Sequence, residues 1–121
     1  MRPKEDESSD CRFINIGEVD TFLSGQMKTF NIQDRPVVLV NVGGQFFAFA
    51  DFCLHWGVRL SDGCLQGHVV RCKAHGWNHD FAKGEVIASD PPGDEGRRMI
   101  TFETKLIEGA IWVSTVPKKA G

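Results

Sequence analysis

Apolar residues recur along the chain in short, strand-length runs, each broken by Gly, Pro or a charged pair. Residues 1–10 are charged and Ser-containing and read as a disordered tail. Arg12 to Ile16 alternates about Phe13 and opens the ordered domain. Val19, Phe22 and Leu23 stand at i, i+3 and i+4, enough for one or two helical turns before Gly25 stops them. Met27, Phe30 and Ile32 belong to a strand, and Val37 to Val42, apolar but for Asn41, is a run typical of a buried one. Gly43-Gly44 supplies a tight turn, and Gln45 to Ala50 returns as the hairpin partner. Leu65-Gln66 and Val69-Val70-Arg71 form a second, shorter hairpin around Gly67-His68. Glu85 to Ala88 is a further strand, and Ser89 to Arg98, with Pro91-Pro92 and two glycines, is a loop. Ile100, Phe102, Thr104 and Leu106 alternate, and Glu108-Gly109 turns that strand into Ile111-Trp112-Val113. The pattern predicts an all-β, antiparallel domain over 11–116, followed by a flexible C-terminus at 117–121.

Length and charge narrow the function. With 121 residues the chain makes one domain with a modest core. A net charge of −2 with no strongly basic stretch argues against nucleic-acid binding. No apolar run is long enough to span a membrane, and the acidic first ten residues are the opposite of a secretory signal. A cytoplasmic monomer is expected.

The chemistry lies between Cys53 and His75. Cys53-Leu54-His55 and Cys72-Lys73-Ala74-His75 place one Cys and one His on each of two short loops. Thiolate and imidazole suit zinc, copper and iron–sulfur chemistry. Structural zinc sites usually keep one ligand type per knuckle, which this mixture does not. Two Cys on one iron and two His on the other is instead the donor set of a Rieske [2Fe–2S] cluster.

The segments Cys53-Leu54-His55-Trp56-Gly57-Val58-Arg59-Leu60-Ser61-Asp62-Gly63 and Val70-Arg71-Cys72-Lys73-Ala74-His75-Gly76-Trp77 resemble the two ligand loops of Rieske proteins, and the likeness runs from about Met27 to Ser114. It implies stacked antiparallel sheets, three in number, with a small cluster-binding subdomain (about 51–84) inserted. It also implies one [2Fe–2S] cluster held by Cys53, His55, Cys72 and His75. Gly57, Gly76 and Trp77 would lie near the cluster, the glycines for close backbone approach and the indole as a cover against water. Gly63 and Gly84 read as turn glycines, and Trp56 as either a cover or a docking anchor.

High-potential family members carry an extra cysteine in each loop, where this chain has Val58 and Ala74. They also carry Ser and Tyr hydroxyls where it has Trp77 and His79, so a low potential is expected. Cys11 and Cys64 read as free thiols and His68 and His79 as ordinary imidazoles. Asp62 and Asp80 read as turn-bracing residues, and no nucleophile–base set is present. The chain is similar to the small ferredoxins of bacterial multicomponent oxygenases, which act on aromatic hydrocarbons and alkenes. The resemblance implies electron transfer from a flavin-dependent NADH reductase to a terminal oxygenase, a diiron monooxygenase rather than a ring-hydroxylating dioxygenase. The small subunit of assimilatory nitrite reductase is an alternative.

Overall fold

The computed structural model describes residues 12–53, 58–73 and 76–118. The tail at 1–10, Cys11, His55, Trp56, Gly57 and His75 lie outside the described residues. Among the described residues, ten antiparallel strands make two sheets: β1 (Phe13–Glu18), β2 (Met27–Ile32), β3 (Arg35–Val42), β4 (Gln45–Ala50), β5 (Cys64–Gln66), β6 (Val69–Arg71), β7 (Asn78–Asp80), β8 (Glu85–Ala88), β9 (Thr101–Ile107) and β10 (Ala110–Pro117).

The large sheet has the order β1-β10-β9-β4-β3-β2 and the small one β5-β6-β7-β8, inserted between β4 and β9. The three sheets implied by the family likeness are thus two in hydrogen bonding. Ala48 pairs with Phe102 and Phe49 with Thr101, so β4 and β9 fuse two three-stranded halves. All six strands of the large sheet send side chains into one core, among them Ile32, Leu39, Ala48, Phe102 and Val113, with Ile14 and Ile16 packed against it. The sheet therefore curves to bring its edges around common apolar contents.

The unbroken apolar stretch Val37–Val40 of β3 has a direct cause. Val37 and Leu39 face that first core, whereas Val38 and Val40 face a second, shared with the small sheet. Covered on both sides, Val37 to Val40 each gain apolar burial, so no polar alternation survives over that stretch. The β3–β4 hairpin closes through Gly43 (φ 60°) and Gly44 (φ 94°), a left-handed pair that disfavours any side chain. Gly44 N–H also donates to Asn41 Oδ1 at 2.8 Å.

Several expectations meet a different outcome. Only a 3-10 turn forms, at Val19–Thr21. The Gln26 side chain takes the Leu23 amide at 2.7 Å, so the helix cannot propagate and Leu23 stays 65% exposed. Ile100 precedes β9, its carbonyl accepting the Ala50 amide, and Leu106 is 52% exposed. The β4 pairing ends near Phe102, where the Thr104 hydroxyl bonds the Phe46 carbonyl instead, and Leu106 lies past the core. β10 continues to Pro117, and Lys118 N–H donates to Thr101, two residues into the stretch expected to be flexible. Among the described residues no helix is long and apolar enough to cross a membrane.

Candidate metal centre

Cys53 follows β4 and Cys72 follows β6, which brings one thiol from each sheet into the shared core. They are 1% and 2% exposed and are buried in one set with Val38, Phe49, Leu60, Val70, Trp77 and Phe81. Each begins a loop closed in the same way. The Cys53 amide donates to the Val58 carbonyl at 2.6 Å, and the Cys72 amide to the Trp77 carbonyl at 2.7 Å. Both bonds reach five residues ahead, so both loops have the same span. Gly76 N–H adds a bond to the Cys72 carbonyl at 3.0 Å, folding the second loop tightly.

The loops are braced from outside by a residue the sequence did not single out. Asp51 directly follows β4, and its side chain is fully buried. Oδ1 accepts the Ser61 amide at 2.8 Å, and Oδ2 accepts the Ser61 hydroxyl at 2.7 Å and the Thr29 hydroxyl at 3.0 Å. Arg59 Nη1 stands 3.7 Å from Oδ2. The carboxylate ties the far end of the first loop to β2 and to the strand that delivers Cys53. A buried acid needs such donors to offset its desolvation, and a lone Asp after an apolar strand is the signal that marks it.

Gly76 has φ 73°, and a Cβ there would come within 2.9 Å of the Arg71 guanidinium, which lies across it. Gly63 is more constrained than a turn glycine. Its φ is an ordinary −89°, but any Cβ would overlap the Arg71 carbonyl, so the first loop packs backbone to backbone on β6. Trp77 is 2% exposed, and its ring N–H donates to the Asp90 carbonyl at 3.1 Å, which joins the second loop to the 89–98 segment. Val58 packs against the shared core.

His79 is fully buried rather than an ordinary imidazole. It sits on β7, a strand not foreseen because Asn78-His79-Asp80 is wholly polar, between Val70 of β6 and Val86 of β8. Among the described residues, neither ring nitrogen has a partner at good hydrogen-bond geometry. Burial pushes its pKa below the usual 6.5, and the backbone at Trp77 and Val70 opposes this only in part. Asp80 does brace a turn, its Oδ1 accepting the Ala82 and Lys83 amides at 3.0 Å. Exposed His68 packs edge-on to Phe47 at 5.2 Å, bridging the two sheets. Cys64 is exposed on β5, and none of Cys53, Cys64 and Cys72 is in a disulfide.

Two sequestered thiols at the heads of matched loops fit a thiolate-bound metal group better than a plain apolar core. The Rieske [2Fe–2S] domain model matches residues 12–106. The chain belongs to the Rieske [2Fe–2S] family. The cofactor of that family is the cluster with two Cys and two His ligands. Along its length this Rieske chain is 33% identical over 112 residues to the ferredoxin component of the alkene monooxygenase system of Xanthobacter autotrophicus, covering 92% of this chain and 88% of that one. It is also 33% identical over 79 residues to ferredoxin CarAc of Metapseudomonas resinovorans, covering 65% and 70%. Among solved structures, one chain of the complex of reduced oxygenase and oxidized ferredoxin in carbazole 1,9a-dioxygenase superimposes with a TM-score of 0.79. It shares 27% identity, covering 91% of this chain and 99% of that one.

Proposed function

We propose that the chain is a low-potential electron carrier, taking electrons from an NADH-dependent flavoprotein reductase and delivering them singly to a terminal oxygenase in the cytoplasm. The carrying observation is the near full-length likeness to the ferredoxin component of an alkene monooxygenase system. That likeness also favours a diiron monooxygenase as the recipient.

In this reading Cys53 and Cys72 hold one iron as thiolates, and His55 and His75 hold the other. When bound, the cluster accepts and releases one electron. The chain's own residues keep it in place and dry. The Cys53–Val58 and Cys72–Trp77 bonds fix the loops, Asp51 ties the first loop down, and the shared core of Leu60, Trp77 and Phe81 excludes water from the thiol side. The lack of hydroxyl donors at Trp77 and His79 supports a midpoint below about 0 mV, in the lower part of the Rieske range of about −150 to +300 mV.

A second reading, a dioxygenase recipient, is favoured by the overlay on the carbazole 1,9a-dioxygenase complex. Reconstitution separates the two. The reduced protein is mixed with a diiron monooxygenase hydroxylase or with a ring-hydroxylating dioxygenase, and product formation is followed with NADH and a flavoprotein reductase. Turnover with the first alone supports the proposal; turnover with the second alone moves the assignment to dioxygenases; a midpoint above about +100 mV contradicts both.

A further inference from the structure

The two ligand loops carry charge of one dominant sign. Arg59 lies in the first, Arg71 and Lys73 flank Cys72 in the second, and Asp62 is the single acidic residue within 53–63 and 71–77. Three of the chain's 14 basic residues fall there but only one of its 16 acidic ones, so these two loops are net positive in a protein of net charge −2. All four side chains are exposed. The Arg59 charge is partly offset by Asp51, 3.7 Å away. Arg71 and Lys73 have no carboxylate within ion-pair distance among the described residues. They border an open recess whose wall includes Cys72, with Asp62, Gly63 and Cys64 completing it. The Arg71 guanidinium is held over Gly76, one residue past the second loop's His.

We propose that Arg71, Lys73 and this recess form the docking surface for an acidic protein partner, and that electrons cross at this edge. The inference deepens the electron-carrier reading and rests on it. A partner presenting carboxylates is repelled by the net negative charge of the molecule as a whole and attracted to this one end. The field therefore turns the cluster edge toward the partner before contact. The guanidinium offers a planar two-pronged donor to a carboxylate, and Lys73 adds a point charge beside it. Both stand next to a cluster thiolate, so a docked acidic side chain brings the partner to within a short electron path.

The test uses the cluster-containing protein, reduced and mixed by stopped flow with either of two small oxidants, the ferricyanide trianion or the tris(phenanthroline)cobalt(III) trication. Contact at the basic end predicts that ferricyanide oxidation slows by about tenfold as salt rises from about 10 to about 200 mM, whereas the cobalt reaction accelerates. Arg71→Glu with Lys73→Glu reverses both slopes; Lys73→Glu alone, which leaves Gly76 and its guanidinium cover intact, flattens them. A ferricyanide rate that rises with salt in the unaltered protein overturns the proposal, because electrons then leave through a surface with the molecule's overall negative charge. Unchanged slopes in the charge-reversed proteins, accompanied by a shifted midpoint, overturn it as well, since the basic residues then only compensate the charge of the cluster. Failure of the electron-carrier reading is seen separately, as a protein without iron or without reversible bleaching.

Discussion

Ser61 meets Asp51 twice, its amide on Oδ1 at 2.8 Å and its hydroxyl on Oδ2 at 2.7 Å. That double contact spans the loop that carries Cys53 and His55, and Thr29 fastens the same carboxylate to β2. Asp51→Ala leaves the half-buried Ser61 and Thr29 donors without their carboxylate and is expected to cost about 3 kcal/mol, and Ser61→Ala about 1. Denaturant melts followed by the cluster's visible absorbance check this. A cluster lost no earlier in Asp51→Ala than in the unaltered protein would show that the loop stands without its brace.

Trp77 fills the core beneath the second loop while its ring N–H is taken by Asp90. Trp77→Ser should therefore destabilise by about 3–5 kcal/mol, as large core truncations do. Trp77→Phe keeps most of the packing and loses mainly one hydrogen bond, about 1 kcal/mol. With the cluster retained, its midpoint in Trp77→Phe should move by less than about 59 mV, the tenfold step of a one-electron couple. Voltammetry on that variant checks the point, and a larger shift would make the indole N–H a direct determinant of the potential.

His79 gives the fold a pH dependence whose sign follows from its burial. Its pKa is lowered in the folded protein, so between that value and the usual 6.5 the unfolded chain holds more protons. Stability is then full above pH 6.5 and falls as pH drops toward the lowered value, by about 1.4 kcal/mol per unit at most. His79→Leu removes an unpartnered imidazole of similar volume. It should be neutral or stabilising at pH 7 and should flatten the acid side of the curve. Melting temperatures of both proteins from pH 7.5 to 5 decide it, and identical slopes would place the titration elsewhere.

Gly63→Ala tests the backbone contact between the first loop and β6. The added Cβ overlaps the Arg71 carbonyl, a main-chain atom of a paired strand that cannot turn aside as a side chain would. A loss of about 1–3 kcal/mol is expected, with the strained variant shedding its cluster at lower temperature. Gly93→Ala is a control with open space around it, limited to the penalty of its φ of 133°.

The sequence was most legible where one local rule acts alone. The β3–β4 hairpin followed from the Val37–Val42 run and the Gly43-Gly44 turn, and the β5–β6 hairpin from its short strands around Gly67-His68. The family was legible from the spacing of Cys53, His55, Cys72 and His75, because few chemistries use one Cys and one His per loop. What stayed hidden depends on tertiary partners. Asn78-His79-Asp80 is a strand only because β6 and β8 pair with it on both sides, and no apolar pattern announces it. Asp51 has a role only once Ser61 and Thr29 converge on it, across separations of 10 and 22 residues. The need for glycine at 63 comes from β6, not from the turn that precedes it. The fusion of the two halves of the large sheet hangs on β4 pairing with β9 across the whole inserted subdomain.

The central claim is that Cys53 and Cys72, with His55 and His75, hold a mixed-ligand [2Fe–2S] cluster. Electron paramagnetic resonance of the dithionite-reduced protein, with iron and sulfide analysis of the same sample, tests it most directly. The account predicts about two irons and two acid-labile sulfides per chain and the low average g value that nitrogen ligation produces. It also predicts loss of both in Cys53→Ser and Cys72→Ser, and retention in Cys64→Ser. Zinc in place of iron, a spectrum of the all-thiolate type, or loss of the cluster in Cys64→Ser would contradict it.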